Sequence, residues 1–171
     1  MTPLTVRLAT PGDAADVAGV HVRSWQVAYR GLLPDQRLDN MRAEDRVARY
    51  DFGATDPTLP STLVAVDEGV LRGFVTTGPC RDEDGTGIGE ILALYVDPPA
   101  WRRGVGRQLI AEARAALSQQ GFAEAVLWVI TGNTRAQRFY RADGWLPDPN
   151  GRTETIWDVP VDEMRYRRSL P

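Results

Sequence analysis

The sequence predicts a single mixed α/β (α+β) domain over residues 1–171, and three observations carry that reading. Residues 88–130 run as apolar strand, amphipathic helix and apolar strand. The right-handed crossover of such a unit makes its two strands parallel. Thr62–Val66 and Val70–Thr77 are β-rich runs separated by Asp67-Glu68-Gly69, which reads as a hairpin loop. No repeat or linker interrupts the 171 residues, of which 43% are hydrophobic. A chain of this size removes roughly 70% of its unfolded surface from water on folding.

The elements follow in order. Thr5-Val6-Arg7-Leu8-Ala9 alternates as a short strand. Thr10-Pro11-Gly12-Asp13 reads as a helix start: Thr10 can cap, Pro11 suits the first helical position, and Asp13 sits near the positive end of the dipole. Val17, Val20, Val27 and Ala28 then keep helical spacing up to Gly31. A shorter helix is expected over Arg42–Tyr50, and a loop over 53–60. Beyond the hairpin, 78–87 is polar and Gly-rich. Ile88–Val96 is the third strand, ended by Asp97-Pro98-Pro99. Gly104–Leu117 is helical, with Leu109, Ile110, Ala113 and Leu117 on one face and Gly121 as terminator. Ala125–Ile130 is apolar at nearly every position, as in a strand covered on both faces. A helix from Asn133 to Ala142 stops at Gly144, and two last strands are expected around Thr153–Trp157 and Met164–Arg168.

Composition excludes several chemistries. All 20 cations are arginine, against 23 acids, for a net charge of −3. A Walker-type phosphate loop and Schiff-base catalysis both need a lysine and are ruled out. With one cysteine, Cys80, and one histidine, His21, neither an internal disulfide nor a Cys- or His-rich metal site can form, so no metal is expected. A Ser-His-Asp triad would have to run through His21. There is no basic-then-apolar leader and no apolar run near the ~20 residues of a membrane span, so a cytoplasmic protein without membrane association is expected. Residues 1–100 carry nine arginines and fifteen acids, whereas 101–171 carry eleven and eight. The sign changes at Trp101-Arg102-Arg103, so an anionic ligand is drawn to the C-terminal part. A pI near 5.2 and the lack of a dense basic stripe argue against nucleic acid.

Trp101-Arg102-Arg103-Gly104-Val105-Gly106-Arg107 joins a strand to a helix N-terminus. Glycines there let backbone amides approach an anion, and the helix end adds positive potential. A dinucleotide fingerprint fails, because Leu109 stands where its third glycine belongs and Glu124 begins the next strand instead of ending it. Gly87-x-Gly89 precedes a strand and is no phosphate loop. Downstream, Asn133, Ala136, Phe139, Tyr140, Gly144 and Trp145 form a second spaced pattern. Together the two patterns make the whole chain, most strongly 88–145, resemble the GNAT superfamily of acyl-CoA-dependent N-acetyltransferases. Its signature is Gln/Arg-x-x-Gly-x-Gly/Ala followed by Asn-x-x-Ala-x-x-Phe-Tyr. One departure stands out, since an ungapped reading puts Trp101 at the Gln/Arg position.

The resemblance implies a mixed sheet of about seven strands with four helices on both faces, and a cofactor in a splay between the two parallel middle strands. Acetyl-CoA would be the co-substrate. Its pyrophosphate would lie on the backbone of Arg102, Arg103, Gly104, Val105, Gly106 and Arg107. Its pantetheine arm would lie beside Leu94, Tyr95 and Val96, and Asn133, Ala136, Phe139 and Tyr140 would flank it. The Leu94 amide would face the thioester carbonyl and stabilise developing negative charge. Attack by an amine requires one proton to leave and the departing thiolate to gain one. Glu90 matches a catalytic glutamate of some members and would act as base, directly or through water; its bland reading is a solvent-facing residue at a strand start. Tyr140 matches the family's general acid; its bland reading is an aromatic packed beside Phe139.

On the acceptor side the resemblance points to the first two helices and the segment 148–163. Trp25 and Tyr29, one helical turn apart, are the candidate substrate-binding pair, with Arg30, Asp35 and Asp39 nearby; the pair may equally be read as core packing. His21 reads as a packed or surface residue, Cys80 has no evident activating base, and Arg81-Asp82-Glu83-Asp84 reads as a solvated loop. The implied activity is acetyl transfer from acetyl-CoA to a small-molecule primary amine by direct attack. Two alternatives stay open: a protein N-terminus or lysine as acceptor, and a non-catalytic acyl-CoA-binding regulatory domain. A homodimer is compatible with the resemblance. Without lysine, the only primary amine of the chain itself is its N-terminus.

Overall fold

A computed structural model describes residues 2–54, 56 and 58–171. Seven strands form one sheet in the order β1-β2-β3-β4-β5-β7-β6. The strands are β1 (Thr5–Leu8), β2 (Ser61–Asp67), β3 (Val70–Pro79), β4 (Gly89–Val96), β5 (Glu124–Ile130), β6 (Leu146–Ile156) and β7 (Val159–Ser169). The helices are α1 (Ala14–Ala28), α2 (Asp35–Asp39), α3 (Val105–Gln119) and α4 (Thr134–Ala142). All pairings are antiparallel except β4 with β5, the parallel pair expected of the strand–helix–strand unit. Among the described residues no helix is long and apolar enough to cross a membrane.

Local chemistry sets the boundaries. Asp13 anchors the start of α1: its carboxylate accepts from the Thr10 amide at 2.8 Å and from Arg7 at 2.8 and 3.0 Å. Those bonds hold its pKa down at about 2. The β2–β3 hairpin closes through Glu68 and Gly69, both at positive φ (52° and 78°), the two-residue turn that matches strand twist. Leu109, Ile110, Ala113 and Leu117 of α3 are fully buried against the sheet with Val75, Ile91 and Leu127. On the opposite face Val17 and Val20 of α1 pack on Val64 and Phe74. Burying each large aliphatic side chain contributes roughly 1.5–3 kcal/mol.

Three expectations need correction. Arg42–Tyr50 is not an α-helix but two 3₁₀ turns, Ala43–Asp45 and Val47–Arg49. A short helix, α2, forms instead just after Pro34. The last two strands are each 11 residues long, far beyond the runs expected at 153–157 and 164–168. The loop at 53–60 holds where it is described, but Thr55 and Pro57 lie outside the described residues.

The sheet opens at its centre. β4 and β5 pair only at Gly89↔Ala125, Glu90↔Val126 and Ile91↔Leu127. On the other edge of β4, Thr76 faces Ala93 and Thr77 faces Ile91, so Leu92 is an inserted bulge residue. The bulge sits where β4 leaves β5. It also swaps the faces: Ile91 packs with the α3 side, Ala93 and Tyr95 with the α1 side.

Candidate active site

Beyond Ile91 the edge of β4 facing β5 has no strand partner, and the gap widens into a cavity of about 780 Å³. Leu94, Tyr95 and Val96 line it from β4, and Trp128, Val129 and Ile130 from β5. Arg102, Gly104, Gly106 and Arg107 line it from the loop and the start of α3, and Asn133, Ala136, Phe139 and Tyr140 from α4. Trp25 and Tyr29 line it from the α1 side, and Glu90 lines it from β4. The expected residues thus converge, with two exceptions. Val105 turns its side chain into the core at 3% exposure, and Arg103 is exposed outside the lining.

The two loop glycines have different reasons. Gly104 caps α3 at φ 84° with open space around it, so its conformation is what only glycine adopts easily. A Cβ on Gly106 would meet the Phe139 ring at 3.3 Å, so here close approach of α3 and α4 is the constraint. The first amides of α3 have no partner within the helix. Arg102 also sits in the left-handed region, at φ 64°. Trp101 does not point at this loop's amides: its Nε1 donates to the Val96 carbonyl at 2.7 Å, and Arg135 stacks on its ring.

Glu90 is buried, at 2% exposure, which replaces the solvent-facing reading. One carboxylate oxygen accepts from the Arg81 amide at 3.0 Å, and the other lies 3.5 Å from the Arg81 guanidinium. Tyr140 lines the cavity from α4, and burial, with Tyr95 nearby, raises its pKa well above the ordinary 10. A hydroxyl so placed keeps its proton throughout the neutral range. Asn133 caps α4 by accepting from the Ala136 amide at 3.2 Å.

Arg81, Glu83 and Asp84 are exposed, as a solvated loop would have them, but Asp82, 16% exposed, is tied into the fold. Arg165, buried at 2%, donates to Asp82 at 3.0 Å, to Asp84 through both terminal nitrogens at 2.8 Å, and to Asp148 at 2.7 Å. The Trp128 indole adds a bond to Asp82 at 3.0 Å. This clamp fixes the segment whose Arg81 amide holds Glu90. Cys80, next to it, does not line the cavity, and burial raises its pKa.

Sequence reasoning missed Arg81, Trp128 and Arg135, which line the cavity; Arg152 and Glu163, which line it too, fall in the segment 148–163 expected on the acceptor side, though neither was singled out. Arg152 stacks on Trp128 at 4.1 Å and donates to Glu163 at 2.7 Å. Arg135 lay inside the Asn-x-x-Ala pattern, the one signal that marked it. Arg30, Asp35 and Asp39, in contrast, form exposed ion pairs away from the cavity. Trp25 packs edge-on against Tyr29 at 5.0 Å and against Trp157 at 5.8 Å. The pair therefore serves packing and cavity wall at once.

His21 stacks behind this wall on Trp25 and Tyr95, with its Nδ1 bonded to the Tyr50 hydroxyl. Burial first, then the Arg46 and Arg49 charges, lowers its pKa from 6.5 to about 3. Below pH 6.5 the unfolded histidine therefore takes a proton that the folded one refuses. Stability falls as pH drops from 6.5 towards 3. The urea midpoint is expected to fall over that window, and to fall less steeply in His21→Gln; equal slopes would remove this contribution.

A model of the acetyltransferase (GNAT) family matches residues 22–145. The uncharacterized N-acetyltransferase YuaI of Bacillus subtilis is 34% identical over 131 residues, 76% of this chain and 73% of that protein. A mycothiol acetyltransferase of Propionibacterium freudenreichii is 37% identical over 106 residues, 61% of this chain but 33% of that longer protein. Among solved structures, the PaiA N-acetyltransferase of Thermoplasma acidophilum, in complex with coenzyme A, superposes with a TM-score of 0.74 at 18% identity, covering 99% of this chain and 100% of that one. YncA of Salmonella typhimurium, with its cofactor acetyl-CoA, gives 0.74 at 19%, covering 99% and 95%. At such identities these two speak for the fold, and the family match over residues 22–145 speaks for kinship. This chain belongs to the GNAT family of acetyltransferases.

Proposed function

We propose that the chain transfers the acetyl group of acetyl-CoA to a primary amine of a small molecule by direct attack, with no acyl-enzyme. The observation that carries this reading is the opening of β4 from β5, which gathers an unpaired backbone edge, a glycine loop, Glu90 and Tyr140 around one cavity. The cavity fits the cofactor in shape and charge: Arg102, Arg107 and Arg135 line it, and none of them is in an ion pair among the described residues. Acetyl-CoA supplies an activated acetyl thioester. Leu94, Tyr95 and Val96 offer it a strand edge, the amides of Arg102 through Arg107 receive its phosphates, and Asn133, Ala136 and Phe139 form the far wall.

Glu90 takes the proton of the incoming ammonium, directly or through water, and the Leu94 amide donates to the carbonyl oxygen where negative charge grows. The Tyr140 hydroxyl supplies the proton that the departing sulfur needs. Trp25 and Tyr29 wall the acceptor. The relatives named mycothiol acetyltransferase support a small-molecule acceptor.

Tyr140→Phe tests the acid. It is expected to lower kcat about a hundredfold while leaving KM for acetyl-CoA within about twofold, because the ring that packs on Phe139 and Trp145 is retained. An unchanged kcat would remove Tyr140 from the reaction.

A further inference from the structure

We infer that Arg135, held on the Trp101 indole and set beside Arg102, is a clamp for a phosphate group of the cofactor's nucleotide end. The inference rests on the cofactor placement proposed above. It starts from the departure at residue 101, where the resemblance leads one to expect Gln or Arg and the chain has tryptophan.

The indole is fixed at both ends of its environment. Its Nε1 donates to the Val96 carbonyl at 2.7 Å, which ties the loop to the end of β4. Its face carries the Arg135 guanidinium, 3.2 Å from the ring centroid. Arg135 comes from the first turn of α4, so the stack brings a cation from α4 to residue 101, and both side chains line the cavity. A planar guanidinium on an aromatic face loses part of its hydration but keeps its edge donors free.

What those donors face is unusual. A nearby charge is another cation, Arg102; burial first, then the Arg102 charge, lowers the Arg135 pKa, and both side chains line the same cavity. Neither is in an ion pair among the described residues. Arg102 has a left-handed backbone, φ 64°, a conformation that a residue with a Cβ adopts only rarely. Two cations that line one cavity without an acidic partner, one of them on a left-handed backbone, are accounted for by an anion that both reach. Of the charged groups coenzyme A carries, only its phosphates answer that description. Trp101 is then a positioning residue that acts through Arg135, and Arg135 a binding residue.

Titration calorimetry with coenzyme A, 3′-dephospho-coenzyme A and acetyl-pantetheine tests this without turnover. Arg135→Gln is expected to weaken coenzyme A binding about tenfold at low salt and to flatten its salt dependence, with acetyl-pantetheine unaffected. Trp101→Phe keeps a ring and should bind within about twofold of the unaltered protein, whereas Trp101→Ala should lose most of what Arg135→Gln loses. In the Trp101→Ala background, Arg135→Gln should then cost less than about twofold more, the signature of two residues acting as one unit. A penalty that persists with 3′-dephospho-coenzyme A assigns the clamp to the pyrophosphate, and one that vanishes assigns it to the 3′-phosphate. The clamp is overturned if Arg135→Gln binds coenzyme A like the unaltered protein, or if it costs the same with and without the Trp101 ring. Failure of the unaltered protein to bind coenzyme A would overturn the cofactor placement itself, and the clamp with it.

Discussion

Glu90→Gln is expected to lower kcat about a thousandfold while leaving coenzyme A binding unchanged. The substitution keeps the size of the side chain and its acceptor for the Arg81 amide, but removes the charge that takes a proton. General-base contributions of this kind span about 10²–10⁴ in rate. The position is buried at 2% exposure on a strand whose neighbours line the cavity, so no bulk-solvent base reaches it freely. The loss should be largest near neutral pH, where the amine arrives protonated, and should shrink at high pH as free amine becomes abundant. Rates measured across pH 6–10 check both statements. A uniform loss at every pH would indicate damage to packing instead of a missing base.

Arg165→Met is expected to destabilise the protein by about 3–5 kcal/mol, the range for stripping a buried charge network of one partner. Methionine fills the space, but Asp82 and Asp148, with side chains 16% and 9% exposed, lose their closest cation and keep only Arg152 at 3.8 Å and Arg167 at 3.5 Å. At about 2–4 °C per kcal/mol for a domain of this size, Tm should fall by roughly 10 °C. Replacing Asp82 and Asp148 by asparagine in the same background should recover part of that loss, since the uncompensated charge is then gone. Activity should fall as well, because Asp82 follows directly on the residue whose amide holds Glu90. Urea unfolding of the single and triple variants decides this; a loss below 1 kcal/mol would mean that the network adds nothing to the fold.

The central unit was legible because its burial is periodic. α3 shows its apolar stripe, β5 is apolar nearly throughout, and the glycine loop and the Asn-x-x-Ala pattern stand at fixed offsets from them. β6 was half missed for the opposite reason. Leu146 to Arg152 holds two prolines and is mostly exposed, so no alternation marks it, and it becomes a strand only by pairing with β7. Arg42–Tyr50 contains helix-favouring residues but none is buried within its two 3₁₀ turns, so nothing holds a longer helix to the sheet. α2 escaped notice although Leu33-Pro34-Asp35 carries a helix-start signal.

The site was legible where chemistry and spacing coincide, and silent where long-range contacts decide. Glu90 and Tyr140 could be named from their positions, but the burial of Glu90 could not. Arg165 sits between Met164 and Tyr166 like any strand arginine. Its importance comes from Asp82 and Asp84, which the loop between β3 and β4 brings to it, and from Asp148 near the start of β6. The tie between Asp82 and Arg165, within a run that is otherwise exposed, was hidden for the same reason. Arg152 and Glu163 fall in the segment 148–163 expected on the acceptor side, but the underestimated hairpin hid which of its side chains reach the cavity.

The most direct measurement mixes the protein with acetyl-CoA and a panel of small primary amines and short peptides, and follows thiol release and amide mass together. Transfer by direct attack requires thiol release only when an amine is present, one amide for each thiol, the best rate on a small amine, and no acetylated protein when the amine is left out. Binding of acetyl-CoA, seen as a rise in Tm, with no thiol release on any amine or peptide would contradict transfer and leave a cofactor-binding domain.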